Sequence, residues 1–232
     1  MIDLYALTSP NVQKVFIALE ELALPYDTIL VDVWKGEQFR EEFARLNPNR
    51  KIPVIVDHDG PGGKPVTVFE SGAILIYLAE KTGRLLPADP LARLEVLQWL
   101  MLQMSTLGPM SGQHVHFSKF APPGNDYGAS RFRTEVNRLF DLYDGRLASR
   151  DWVAGDDYSI ADIAAFPWLR NHGFLGISVE GRPNLTRWVE RIAARPAVQR
   201  AMAKVATIPS SRDTASEDDR DRIFQRGRWA RG

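Results

Sequence analysis

The chain has 232 residues, enough for one large domain or two small ones, and its 29 basic residues balance 29 acidic ones. Balanced charge gives no field to draw nucleic acid or an anionic membrane surface, and no apolar run approaches the roughly 20 residues that span a bilayer. Cysteine is absent, which excludes disulfides, thiolate metal sites and a protein thiol nucleophile; any thiol chemistry must use a thiol that a ligand brings. The chain enters a strand almost at once, without a basic start followed by an apolar run. No signal peptide is therefore expected, and the cytoplasm is the default location.

Ile2-Asp3-Leu4-Tyr5 reads as a short strand, followed by the turn Ala6–Asn11 and a helix over 12–22 with Val15, Phe16, Leu19 and Leu22 on an apolar face. Pro10 suits a helix start, where its missing N–H costs nothing. Tyr26–Val31 reads as a second strand, so a βαβ unit with a parallel pair is expected. Lys35–Leu46 is expected to be helical, with Phe39 and Phe43 at i, i+4. Val54-Ile55-Val56 is a β-branched strand, Asp57–Pro65 a turn, and Val66–Phe69 a second strand that completes a hairpin. Ser71 then opens a helix with Ile74, Leu75, Tyr77 and Leu78 at helical spacing. The order is β-α-β-α-β-β-α.

The composition shifts at TGRLLPADP, which reads as an interdomain linker. The expected division is a first domain over 1–83, a linker over 84–90, an all-helical domain over 91–206 and a polar extension over 207–232. Leu91–Leu107 reads as a helix that Gly108-Pro109 breaks or kinks before Ser111–Ala121 continues it. Ser130–Ala148 is amphipathic, with Trp152 and Val153 expected to be buried in the loop that follows. Ser159-Ile160-Ala161-Asp162 is a capping box before a helix over 160–171; folding, rather than acid catalysis, is the role expected of Asp162. Phe166 and Trp168 read as core. Helices over 185–195 and 196–206 follow. The tail from Thr207 is polar, but Ile223, Phe224 and Trp229 suggest that it packs back on the body.

The stretch from Asn49 to Lys81 carries the chemistry. Pro53 marks an edge, a bulge or a cis bond, and the residue before it, Ile52, is held extended, so its backbone can pair with an incoming peptide as a strand would. Ser71 at a helix start offers a hydroxyl, an orphan N–H and the positive end of the helix dipole, a combination suited to a carboxylate. Glu70 beside it can accept from an ammonium group. Each feature alone has an ordinary structural reading; a serine at a helix start is most often a plain cap.

In this order and spacing, -KIPV-, a turn, a strand and -ESGAILIYLAEK- resemble the glutathione-binding half of the glutathione transferases. The resemblance implies a thioredoxin-like α/β domain followed by an all-α domain, with glutathione as co-substrate. In that superfamily the donor to the thiol lies on the turn after the first strand, here Thr8-Ser9-Pro10-Asn11; Tyr5 lies too early. Ser-Pro-Asn-x-x-Lys, -KGEQFR-, -NPNRKIP- and -LGPMSGQHVHF- together resemble the bacterial Nu class, which is also similar to the globular domain of a yeast nitrogen-regulation prion protein. By that match Asn11 is the first candidate donor to sulfur and Ser9 the second, although many members carry threonine at the place of Ser9.

The resemblance further implies that Ile52, held by a cis Pro53, pairs with the cysteinyl part, that Glu70 and Ser71 take the γ-glutamyl head, and that Gln38 with Lys51 meets the glycyl end. Arg131 and Gln103 would reach across a homodimer interface. Met110, His114, His116 and Phe117 are expected to line the pocket of the second substrate. Histidines at i, i+2 share no helix face and no carboxylate pair stands near them, so no metal is expected. The implied activity is disulfide reduction or attack on small electrophiles and peroxides. Ether or thioether cleavage of aromatic compounds and a non-catalytic regulatory role are the alternatives.

Overall fold

The computed structural model describes residues 1–230 and divides into two compact units: Met1–Ile74 with the chain from Ala201 onward, and Leu75–Arg200. In the first, β1 (Ile2–Ala6), α1 (Pro10–Leu22) and β2 (Tyr26–Leu30) form the βαβ unit, with Ile2 opposite Tyr26 and Ala6 opposite Leu30 in a parallel pair. β3 (Val54–Asp57) runs antiparallel to β1, and β4 (Val66–Phe69) antiparallel to β3, so the sheet order is β2-β1-β3-β4. Val12, Val15, Phe16, Ile17 and Leu19 of α1 are fully buried. Val31, Phe43 and Val54 make a smaller core against which Tyr5, Val33, Leu46 and Ile52 pack.

The helix expected over Lys35–Leu46 is not continuous. Two 3-10 turns, Val33–Lys35 and Glu37–Phe39, precede the short α2 (Glu41–Leu46). Local hydrogen bonds compete with the helix here. Asp32 accepts from Trp34 N at 3.0 Å, Glu37 accepts from Asp32 N at 2.7 Å, and Gly36 takes a left-handed φ of 80° that interrupts any helical run.

The carboxy-terminal segment returns to this same stretch. Ser211 Oγ donates to Asp32 at 2.5 Å, Lys35 pairs with Asp219 at 3.2 Å, Arg222 donates to the Lys35 carbonyl at 3.1 Å, and Phe224 meets Trp34 edge-on. A capping box of Ser216 and Asp219 starts the helix Glu217–Phe224 within it. Of the three apolar residues noted in the sequence, Phe224 thus packs against the body, while Trp229 sits under Arg222 within the tail itself.

α3 (Ser71–Thr82) begins in the first unit and ends in the second. Residues 84–89 are without helix or strand. Of the break or kink expected at Gly108-Pro109, the break does not occur. α4 (Pro90–Leu102), a π-helical turn at Gln103–Leu107, α5 (Gly108–Val115) and a second π turn at His116–Phe120 follow without interruption. The wide turn before Pro109 accommodates the ring and the missing donor that would disrupt a regular helix. A Cβ at Gly108 would lie 2.9 Å from Gln103 Nε2, so the Gln103 side chain would have to shift to admit it.

α6 (Asp126–Arg146), α7 (Ile160–Leu169), α8 (His172–Leu175), α9 (Pro183–Ala193) and α10 (Pro196–Thr207) complete the helices up to the tail. The capping box at Ser159 and Asp162 forms as the sequence indicates. Fully buried Asp162 also accepts from Val153 N and Trp188 Nε1, each at 2.9 Å, and so ties the preceding loop and α9 to the start of α7. Burial pushes its carboxyl up to about 6 against the pull of these hydrogen bonds. Asp162→Ala leaves the Val153, Ser159 and Trp188 donors buried without partners. A loss of about 3 kcal/mol or more is expected in denaturant unfolding; a loss below 1 kcal/mol would mean that the network is dispensable.

Candidate functional site

The two helix starts and one bend of the first unit converge on a small notch of about 50 Å³ lined by Asn11, Asn47, Lys51, Ile52, Pro53, Glu70 and Ser71. Six of these seven are residues singled out in the sequence. The Ile52–Pro53 bond is cis. Among the described residues no hydrogen bond engages the Ile52 backbone, so its N–H and C=O remain available to a strand-like ligand. Asn47 holds this bend in shape: its side chain donates to the Lys51 carbonyl at 2.7 Å and accepts from Asn49 N at 2.9 Å. Sequence reasoning passed over Asn47, whose signal is its place in -NPNRK-, where an Asn side chain can stand in for backbone in a turn.

Glu70 stands at the entrance to α3, where its carbonyl accepts the first helical bond, from Ile74 N at 2.9 Å. It does so with a left-handed φ of 68°, a conformation that costs a non-glycine residue about 1 kcal/mol or more. Its carboxylate is exposed and accepts from Asn49 Nδ2 at 3.4 Å. Ser71 follows, only 3% exposed, at the positive end of a 12-residue helix.

Beneath Ser71 lies the second residue that the sequence reading did not assign. Lys14 of α1 is 0% exposed, and its Nζ donates to Ser71 Oγ at 3.2 Å. Burial pulls the ammonium down to about 7, with the charge of Glu70 acting in the opposite direction. The signal was present in Ser-Pro-Asn-x-x-Lys, a lysine interleaved with residues that must face the core.

Ser9 is exposed and occupies the cap position of α1, where its carbonyl accepts from Val12 N and Gln13 N but its hydroxyl makes no capping bond. Gln38 lies in the 3-10 turn Glu37–Phe39 and is not among the residues lining the notch. It is buried, with Oε1 lacking a hydrogen-bond partner among the described residues, an acceptor that a ligand N–H could satisfy.

The remaining candidates belong to the helical unit. Gln103 is fully buried in the π turn under Gly108. His114 is 4% exposed, and its Nε2 lies 2.8 Å from the Leu175 carbonyl, a contact that braces α5 against the end of α8. Arg131 is exposed on α6 and pairs with Glu135 at 3.4 Å. Met110, His116 and Phe117 are half-buried. Phe117 stacks on Phe132 with centroids 5.2 Å apart, and His116 meets Phe117 edge-on. A larger cleft of about 820 Å³ between Arg150, Arg187 and Arg191 offers no convergent donors, because Arg191 is paired with Asp151 and Arg187 with the Leu147 carbonyl.

A four-stranded sheet of this order, with an unengaged strand-like backbone beside a helix start, is a thioredoxin-like peptide-binding arrangement. The family model for the glutathione S-transferase N-terminal domain matches residues 8–81, and that for the C-terminal domain matches residues 108–196. The chain belongs to the glutathione S-transferase family. It is 47% identical over 205 residues to the disulfide-bond oxidoreductase YfcG of Escherichia coli (strain K12), covering 88% of this chain and 95% of the relative. A Burkholderia graminis glutathione transferase, solved with two glutathione molecules per subunit, is 48% identical with a TM-score of 0.81 over 87% of each chain. A Pseudomonas putida transferase, solved with one glutathione disulfide per subunit, is 43% identical with a TM-score of 0.82, over 87% of this chain and 90% of that one.

The buried lysine has a measurable cost. Its folded pKa of about 7 lies below the unfolded value near 10.4, so between these values the unfolded chain holds a proton that the folded chain has lost. The penalty is full below pH 7, on the order of 5 kcal/mol as an upper bound, and fades as pH rises toward 10. Lys14→Met is therefore expected to raise the thermal midpoint more at pH 6.5 than at pH 9.5. Equal shifts at the two pH values would show that the ammonium is not destabilised.

Proposed function

We propose that this protein is a glutathione-dependent disulfide-bond oxidoreductase of the Nu class, working as a cytoplasmic homodimer on small disulfides, peroxides or electrophiles. The observation that carries this reading is the convergence of Asn11, Lys51, Ile52, Pro53, Glu70 and Ser71 on one notch. Its size suits the head group of an amino acid, with the rest of a peptide running along the Ile52 backbone. Glu70 takes the ammonium and Ser71 the carboxylate of the γ-glutamyl head, Ile52 pairs with the cysteinyl backbone, and Lys51 with Gln38 holds the glycyl end.

The thiol of glutathione ionises near pH 8.5, so only a few per cent is thiolate at neutral pH. A donor at Asn11, helped by Ser9 and the positive end of α1, stabilises the anion. The thiolate attacks one sulfur of a disulfide, forming a mixed disulfide and releasing the first thiolate product. A second glutathione thiolate attacks the glutathione sulfur of the mixed disulfide, yielding glutathione disulfide and the second product, and each product takes up a proton. Two glutathiones are oxidised and one disulfide is reduced. The absence of cysteine supports this route, since no protein sulfur can enter the exchange. The relatives' bound pair of glutathiones and bound glutathione disulfide support it as well.

Reduction of 2-hydroxyethyl disulfide, coupled to glutathione reductase, is expected to be fast, and conjugation of chlorodinitrobenzene slow. The reverse ranking would make this a conjugating transferase, and silence in both would remove the disulfide reading. Asn11→Ala is expected to lower kcat by about 100-fold with little change in glutathione affinity, whereas Ser71→Ala should weaken binding by roughly tenfold. Unchanged kcat in the first variant would take Asn11 out of the mechanism.

A further inference from the structure

The buried Lys14 has no task in the reaction as just described, yet burying a lysine is costly and its position is specific. Its Nζ donates to Ser71 Oγ at 3.2 Å, and Lys14, fully buried, is not among the residues that line the notch with Ser71. Glu70, the next residue in the chain, is exposed at the same notch. A cation thus lies beneath the serine and an anion stands beside it, the complement of a zwitterionic head group. We infer that Lys14 is a positioning residue for the carboxylate of the bound amino-acid head, acting through Ser71 and not by direct contact.

Two effects carry the inference. A hydroxyl oxygen that accepts from an ammonium group becomes a stronger donor through its own O–H, because hydrogen bonds in a chain polarise one another. The buried positive charge is also poorly screened, so it attracts an anion held on the far side of Ser71 more strongly than a surface lysine would. Burial is what lowers the ammonium, and a carboxylate brought to the notch would favour its charged form. The inference rests on the head-group assignment proposed above and adds a residue to it.

The test pairs a change in the protein with a change in the ligand. The ligands are S-methylglutathione and its analogue with 4-aminobutyryl in place of γ-glutamyl, which lacks only the α-carboxylate. Binding is measured by calorimetry at pH 6.5, where Lys14 is largely charged. Lys14→Met is expected to weaken S-methylglutathione by about tenfold or more and to leave the analogue within about twofold. Lys14→Gln, a second neutral side chain should methionine disturb the packing, carries the same two expectations. Equal weakening of both ligands would assign Lys14 a merely structural role, and no weakening of either would remove it from the site; each overturns the inference. A parent protein that binds neither ligand would overturn the glutathione reading itself, and this inference with it.

Discussion

The first unit is built around a conflict on one helix. α1 must be buried along nearly its whole circumference to close the βαβ unit, and Val12, Val15, Phe16, Ile17 and Leu19 meet that demand. Lys14 is buried with them. An ammonium group in such surroundings is stable only where polar partners replace the lost water, and here Ser71 Oγ at 3.2 Å and the nearby charge of Glu70 are among them. The start of α3 is therefore tied to α1 through the Lys14–Ser71 contact. Because Ser71 and Asn11 face the same notch, the contact that settles the core also fixes the geometry of the candidate site.

The rest of the notch is held by similarly local means. Asn47 shapes the bend through two hydrogen bonds to backbone, and Arg50, within that bend, takes a left-handed φ of 54°. Glu70 does the same at the opposite rim. Two non-glycine residues in this region of backbone space, Glu70 lining the notch and Arg50 next in the chain to Lys51, which also lines it, indicate that geometry is maintained there against local preference. Glycine would relieve the strain at position 70, but it would remove the carboxylate that stands at the notch.

Much of this was legible in the sequence because it is written in short-range signals. The β-branching of β3 and β4, the proline at the start of α1 and the capping box at Ser159 are each decided by neighbouring residues, and each formed as expected. The misreadings arise where local signals compete or where a distant partner decides. Phe39 and Phe43 have helical spacing, but Gly36 and the Asp32–Glu37 contacts prevail. Pro109 looks like a break because a π turn has no simple sequence mark. The burial of His114 and Gln103 is likewise not marked in the sequence, because it depends on their contacts with Leu175 and Gly108. Lys14 was hidden for the same reason, since its partner lies 57 residues away.

The path of the chain has a consequence for its synthesis. The unit that begins at Met1 is interrupted after Ile74 and resumes only at Ala201, with the whole of the other unit, Leu75–Arg200, made in between. On a ribosome adding about 5–20 residues per second, residues 1–74 wait roughly 6–25 s for the segment that bears against the 32–36 stretch. The helical unit, continuous in sequence, has all its residues available first. Residues 1–74 are thus translated well before the segment that completes their unit, in which Ser211, Asp219, Arg222 and Phe224 supply the closing contacts.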